Sequence, residues 1–406
     1  MPERSKWRIL HVYPYYYTVE GTGGGGVRTA LLNLVEGLDK QRYQVLVLTP
    51  APSPLDARLL RAGASDVLSL DYPGHLILQR SELTPLGLMR YGWRLWRQIR
   101  QIERIIREHG IDLVHSHVSA FLGAVLAAKR TRTPSLLHIR EFGFRLPGWL
   151  NGIYLRFIPR CTDRIVCVAR FIAEAFLRAG APPDKIVTIY NEVNLDRFSL
   201  SGRRDLREEL GIPSGTPVVG FVGRIAPRKG LDYFIQAAAL IRQQVNDVKF
   251  LIVGEADEDY EQQYKTDLLR LCSQLGVSDI VIFAGARSDI PDVLYTMDVL
   301  VFPSPVDIGP HVPLEAMAMA CPVVTASLGG AQEEVEDGVT GIHANPQDPE
   351  NIAQATVSIL RDRVLAERLG AQGRARAEKM FGLERYIREI EGVYMALVDV
   401  QGGNPH

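Results

Sequence analysis

Four short stretches of the chain carry residues whose types and spacing could do chemistry. The first is Gly223-Arg224-Ile225-Ala226-Pro227-Arg228-Lys229-Gly230, which follows the apolar run Val218–Val222 and precedes the helical pattern Leu231–Ile241. Arg224 offers a planar fork of donors and Lys229 a compact charge. Set five apart in a glycine-bounded loop before a helix start, they suit a diphosphate. The second stretch runs from Phe302 to Val324 and holds two carboxylates eight apart, Asp307 and Glu315. Asp307 lies in the loop after a strand, and Glu315 opens a helix at Leu314–Ala320. A carboxylate at a helix start is favoured by the dipole and can accept two hydroxyls of a sugar or ribose. Between the two, Gly309, Pro310 and Pro313 break regular structure and expose backbone N–H groups.

The third stretch, Asp112-Leu113-Val114-His115-Ser116-His117, puts two histidines at a strand end, where the alternative for either is a core histidine; His115 reads as the core one and His117 as the functional one. The fourth is the run Gly21-Thr22-Gly23-Gly24-Gly25-Gly26 between Trp7–Tyr13 and the helical pattern Val27–Leu38. It matches GxGxxG, but a run of glycines does so by accident. A dinucleotide site also wants a carboxylate at the end of the next strand, and that strand ends Leu48-Thr49-Pro50. What remains is backbone that can approach a ligand closely, or a flexible loop tip. Asp257-x-Asp259 resembles a metal-binding DxD but lies in an acidic stretch without a fitting strand, so it reads as a solvated loop.

The elements that would position these residues alternate between short apolar runs and amphipathic stretches, the pattern of parallel sheets covered by helices. Strands are predicted at Trp7–Tyr13, Tyr43–Leu48, Asp66–Leu70, Leu113–His115, Ser135–Ile139, Arg164–Val168 and Ile186–Tyr190. A polar segment follows, and the alternation restarts at Val218–Val222, Val248–Val253, Ile280–Phe283, Val299–Phe302, Val323–Ala326 and Gly341–His343. The expected organisation is an N-terminal domain over 1–195, a linker over 196–216 and a second α/β domain over 217–382. An amphipathic segment at about 383–400 is expected to pack back on the first domain. Ligands of open parallel sheets bind outside the carboxyl ends of the strands, so the expected site is the cleft between the domains.

The motifs together resemble family 4 of the glycosyltransferases, with the GT-B architecture of two Rossmann-like domains facing a cleft. The resemblance rests on Gly223-Arg224…Lys229-Gly230, on Asp307-x7-Glu315-Ala-Met-Ala running to Cys321-Pro-Val-Val, and on Gly329-Gly330-Ala331-Gln332-Glu333. It rests also on Ile189–Phe198, on Leu251-Ile252-Val253-Gly254, and on the glycine loop with Arg28 and Leu31–Leu34. It covers about the whole chain. It implies retaining transfer of a hexose from a UDP- or GDP-sugar to a hydroxyl of a glycan or lipid-linked acceptor, with no metal and no other cofactor.

The resemblance also implies roles. Arg224 and Lys229 would hold the donor diphosphate, Glu315 the ribose, and Asp307 would lie near the donor sugar. Gly223, Gly254, Gly309, Pro310, His311, Val312, Pro313 and Leu314 would line the donor site, with Gly285 and Arg287 near the base. His117 would hydrogen-bond the donor sugar, with His115 buried behind it. Gly24, Gly25, Gly26, Arg140 and Glu141 would lie on the acceptor side, although Arg140 and Glu141 read equally as an ion pair. The sequence departs from the family at Asp307, where a glutamate is usual, at Gly309, where an aromatic is common, at Glu192, where a glycine is usual, and at Arg140, where many members have histidine. A nucleotide-sugar 2-epimerase-like isomerase and an inactive nucleotide-sugar-binding protein are the alternatives. The isomerase would need acid and base groups on both faces of the sugar, and it leaves Lys229-Gly230 and the Glu315 box unexplained.

Composition sets the outer limits. The 406 residues carry a formal net charge of −1, which argues against a nucleic-acid partner. That total hides an asymmetry of +10 over residues 1–198 and −11 over 199–406. The four cysteines show no metal or redox spacing, as expected of reduced thiols in the cytoplasm. Arg90–Arg107 is amphipathic, with Tyr91, Leu95, Ile99, Ile102 and Ile106 at helical spacing among five further arginines. It reads either as a helix packed on the first sheet or as a segment lying on an anionic membrane. On the second reading the protein would be peripheral on the inner face of the cell membrane.

Overall fold

The computed structural model describes residues 6–13, 26–70, 83–119, 121–140 and 148–402, without side chains at 148–150 and 400–402. The chain divides into two compact units. One holds the described residues up to Tyr190, apart from Gly26, together with those from Glu384 on; the other holds Asn191–Leu383 and Gly26.

In the first unit the strands are β1 (Trp7–Val12), β2 (Tyr43–Thr49), β3 (Asp66–Ser69), β4 (Leu113–Ser116), β5 (Ser135–Ile139), β6 (Arg164–Cys167) and β7 (Ile186–Thr188). They form one sheet in the order β3-β2-β1-β4-β5-β6-β7, and every pair is parallel. The second unit holds β8 (Val218–Val222), β9 (Lys249–Val253), β10 (Val281–Gly285), β11 (Val299–Phe302), β12 (Val323–Ala326) and β13 (Ile342–Ala344). Their order is β10-β9-β8-β11-β12-β13, again all parallel. Each predicted strand is present within two residues of its expected ends.

The apolar runs explain the parallel pairing. Val218, Val219, Phe221 and Val222 are all buried, which requires helices on both sheet faces, and parallel strands need such helical crossovers. In the first unit Leu10, Val12, Leu46, Leu48 and Val114 of the sheet pack with Ile102 and Ile106 of helix Pro85–Glu108 and with Ala124, Ala127 and Ala128 of helix Leu122–Thr131. Burying one such aliphatic side chain stabilises by about 1.5–3 kcal/mol, so this layer holds the sheet against the entropy of the loops. The segment at the C-terminal end is helix Leu383–Gly402. Its Tyr386, Ile390, Tyr394 and Val398 are buried at a spacing of four and so form one face.

Each sheet has one place where the strand order reverses. In the first it lies between β1 and β4, in the second between β8 and β11. Loops leaving the carboxyl ends there diverge and leave a crevice, the usual ligand site of such sheets.

Candidate active site

At the reversal point of the second sheet, β8 leads into the loop Gly223–Gly230 and β11 into the loop Pro303–Pro310. The close approach of β8 to its other neighbour, β9, dictates a glycine. A Cβ on Gly254 would lie 1.9 Å from the Gly223 carbonyl oxygen, and Gly254 has φ +148°. Residues 227–229 then form a 3-10 turn ended by Gly230, with φ +72°, and helix Leu231–Arg242 begins. This turn brings Lys229 Nζ 2.5 Å from Asp307 Oδ2, and Arg228 Nη1 2.8 Å from Asp307 Oδ1. Lys229 also lies over the Phe302 ring, 5.1 Å from its centre. Burial works against the Asp307 charge, but Lys229 and Arg228 outweigh it and hold the carboxyl below the ordinary range. Burial draws Lys229 down, with Asp307 opposing.

Arg224 does not join this cluster as its spacing suggested. It faces Asp257 and Glu261, each 3.7 Å away. The DxD-like stretch is therefore not simply a solvated loop. Asp257 meets Arg224, and Glu258 with Glu261 forms a capping box at the start of helix Asp259–Gln274. That box satisfies the helix N-terminus and gives the acidic run a structural reason.

The helix after β11 spans His311–Ala318, so it begins three residues earlier than expected. Glu315 is its fifth residue and does not open it. Pro313 sits in the first turn, where its missing N–H costs nothing, and does not break the helix. Burial raises the Glu315 carboxyl, with His311 and Arg197 opposing. Gly309 offers its carbonyl to Asn191 Nδ2 at 2.7 Å. His311 Nε2 lies 3.7 Å from the carboxylate of buried Glu192, the position where the family has glycine. Leu314 is fully buried, while Val312 is only partly covered. Gly329 and Gly330 of the GGxxE loop back onto the Asp307 segment, where Gly330 N–H donates to the Asp307 carbonyl at 2.9 Å. A Cβ on Gly330 would lie 2.0 Å from the Ile308 carbonyl oxygen, so only glycine lets this loop support Asp307 so closely.

Gly285 ends β10, and the next residues line an open hollow of about 460 Å³ with Arg204, Ser288 and Asp289. Arg287 is held by Asp289 at 2.6 Å and Glu209 at 2.8 Å, so its charge is already balanced. The Ala286 N–H donates to Glu255 at 3.2 Å.

At the reversal point of the first sheet lies a different cluster. His11 of β1 stands opposite His115 of β4 in register. His117 follows β4, and His138 lies in β5. All four are fully buried. His11 Nδ1 lies 2.9 Å from His117 Nε2, His115 Nδ1 2.6 Å from the Tyr394 hydroxyl, and His115 Nε2 3.3 Å from His138 Nδ1. Desolvation lowers all four pKa values, His11 to about 3. The charge of buried Arg140 adds to the depression at each. Arg140 itself donates to the Tyr386 hydroxyl and covers that ring, so it is tied to the C-terminal helix. His11, His115 and His117 offer ring nitrogens all within 4.8 Å of one another, which could hold a metal ion. A cation there would compete with the His11–His117 and Tyr394 hydrogen bonds and with the nearby guanidinium. Glu141, Gly24 and Gly25 lie outside the described residues; Gly26 begins helix Gly26–Gly37.

Sequence reasoning missed Arg228, His11, His138, Tyr386 and Tyr394, and marked Glu192 only as a departure from the family. Arg228 was in plain view beside Lys229, and His11 ends a strand as His115 does. The two tyrosines needed the helix placement.

Comparison with known proteins gives the family and the fold. Residues 24–197 match the family described as Glycosyltransferase Family 4, and residues 202–376 match Glycosyl transferases group 1. D-inositol 3-phosphate glycosyltransferase 2 of Catenulispora acidiphila is 33% identical over 89% of this chain and 87% of its own. The UDP-Gal:alpha-D-GlcNAc-diphosphoundecaprenol alpha-1,3-galactosyltransferase of Escherichia coli is 27% identical over 73% of this chain and 78% of its own. An Anabaena protein solved with UDP superimposes with a TM-score of 0.77 at 23% identity, covering 96% of this chain and 100% of its own. That likeness establishes the GT-B fold. The chain is a glycosyltransferase and belongs to family 4.

Proposed function

We propose that the protein transfers a hexose, with retention of anomeric configuration, from a UDP- or GDP-sugar to a hydroxyl of a glycan or lipid-linked acceptor. The observation that carries this is the meeting of Lys229 and Asp307 at the reversal point of the second sheet, with Glu315 one helix turn beyond the loop. Lys229 and Arg224 would bind the donor diphosphate and stabilise charge on the leaving phosphate, a fixed electrostatic contribution. Glu315 would accept the ribose hydroxyls, and the backbone of 309–313 would face the sugar. His117, kept neutral by burial, would hydrogen-bond a sugar hydroxyl. These cations supply the charge that a metal provides elsewhere, so the reaction would need none.

The acceptor side supports a membrane partner. The first half of helix Pro85–Glu108 has no buried side chain before Gln98. Met89, Trp93 and Trp96 are 67%, 57% and 56% exposed, and six arginines lie along the helix. Apolar anchors beside arginines suit an anionic lipid surface. Among the described residues no helix is long and apolar enough to cross a membrane. The four cysteines are free and buried, which fits a reducing cytoplasm.

The test is a transfer assay over UDP- and GDP-sugars with glycan and lipid-linked acceptors, with and without a chelator. Product anomers would be read by NMR. Lys229→Ala and Glu315→Ala should abolish transfer; full activity in both would refute the site. Co-sedimentation with anionic vesicles should fall on Trp93→Ser/Trp96→Ser, and binding that ignores lipid charge would refute the surface.

A further inference from the structure

Every cation of the Gly223–Gly230 loop faces a carboxylate. Arg224 faces Asp257 and Glu261; Arg228 and Lys229 share Asp307, one on each carboxylate oxygen. Asp307 thus presents two oxygens to two cations as a phosphate would. Its backbone is pinned, because its carbonyl accepts from Gly330 N–H at 2.9 Å. The carbonyl of Arg228 accepts from Ser304 Oγ at 3.0 Å, which fixes the opposite side. Only the side chains are left to exchange partners. Arg228 is also half exposed at 49%, against 12% for Lys229, so it can turn outward to a ligand at little cost in packing.

We propose that Arg228 is a further ligand of the donor diphosphate beside Lys229, and that Asp307 is a resident counter-anion which the diphosphate displaces from both. This rests on the donor-site reading above. Two cations and one carboxylate leave one net positive charge, whereas a diphosphate brings two or more negative charges. Like charges a few ångströms apart repel strongly in a partly desolvated site, so the carboxylate and the phosphate cannot share the cations equally. The carboxylate keeps the buried Lys229 compensated while the site is empty, since an unpaired buried charge is costly. It also competes with the nucleoside diphosphate left after transfer and so favours product release. Asp307 is one methylene shorter than the glutamate usual here, and its two oxygens reach the loop cations.

Inorganic pyrophosphate, which carries the shared chemistry without the base, is the probe, titrated by calorimetry into the full chain. Asp307→Asn should bind it at least about tenfold more tightly than the native protein, a change of about 1.4 kcal/mol. Equal or weaker binding by Asp307→Asn would overturn the counter-anion. Arg228→Gln, at a half-exposed position that should not disturb folding, should bind it about tenfold more weakly by loss of a charge-assisted contact. Unchanged affinity would overturn the assignment of Arg228. Lys229→Ala separates the two levels. Unchanged binding there removes the donor-site reading itself, whereas loss there with no gain in Asp307→Asn removes only this inference.

Discussion

At the strand ends of the first unit four histidines lie buried and neutral, linked ring to ring and to Tyr394. At the strand ends of the second, Arg228, Lys229 and Asp307 lie together and charged. Both clusters occupy the reversal point of a parallel sheet, so the fold offers the same crevice twice. The side chains use it differently. Neutral imidazoles can donate or accept with either tautomer, and suit hydroxyls. Fixed cations held by an exchangeable carboxylate suit an incoming anion. The contrast shows that the topology sets where chemistry can occur, and that charge and burial set which chemistry.

The comparison can be broken most severely at Lys229. Its replacement by Ala should lower turnover at least about a hundredfold, the scale of losing one preorganised electrostatic contact, while His11→Gln should keep most donor affinity. Steady-state kinetics that show the reverse would invert the assignment of the two clusters.

Acid should separate the units next. Each cluster histidine titrates near 6.5 when unfolded and lower when folded. Their contribution is fully present above pH 6.5 and is lost as the pH falls toward about 3, where folded His11 takes its proton. The slope is roughly 1.4 kcal/mol per pH unit for each histidine. Glu315 and Glu334 are shifted upward by burial, so their contributions have the opposite sign, present below 4.5 and lost as the pH rises. All four tryptophans lie in the first unit. Tryptophan fluorescence should therefore report unfolding at a higher pH than the far-ultraviolet signal of the rest; coincident transitions would contradict this.

Smaller effects sharpen the picture. Among the described residues neither carboxylate oxygen of buried Glu334 has a hydrogen-bond partner. Glu334→Leu should stabilise by about 1–3 kcal/mol at pH 8 and less at pH 4, as expected when an unsatisfied polar group is removed. A thermal melt at the two pH values checks it. Tyr394→Phe removes the partner of His115 and should destabilise by about 1 kcal/mol, seen as a fall in Tm of roughly 2–4 °C.

The strands were legible because each is a short apolar run bounded by polar turns. The loops after β8 and β11 were legible because glycine, proline and charge occur together after those strands. Charge partners were not. Arg224 and Lys229 share a loop, yet only the turn at Pro227–Lys229 decides that Arg228 faces Asp307 while Arg224 faces Glu261. Glu315 looked like a helix start because Pro313 reads as a breaker, although proline is tolerated in a first turn. The Tyr386–Arg140 contact joins residues 246 apart in sequence, beyond the reach of spacing or periodicity.

The most direct test is nucleoside-diphosphate binding to the native protein and to Glu315→Ala. UDP, GDP and their sugars would each be scanned by thermal shift. The account predicts that one base series raises the Tm in a saturable way and that Glu315→Ala abolishes the rise while melting normally on its own. An equal rise in both proteins would contradict it.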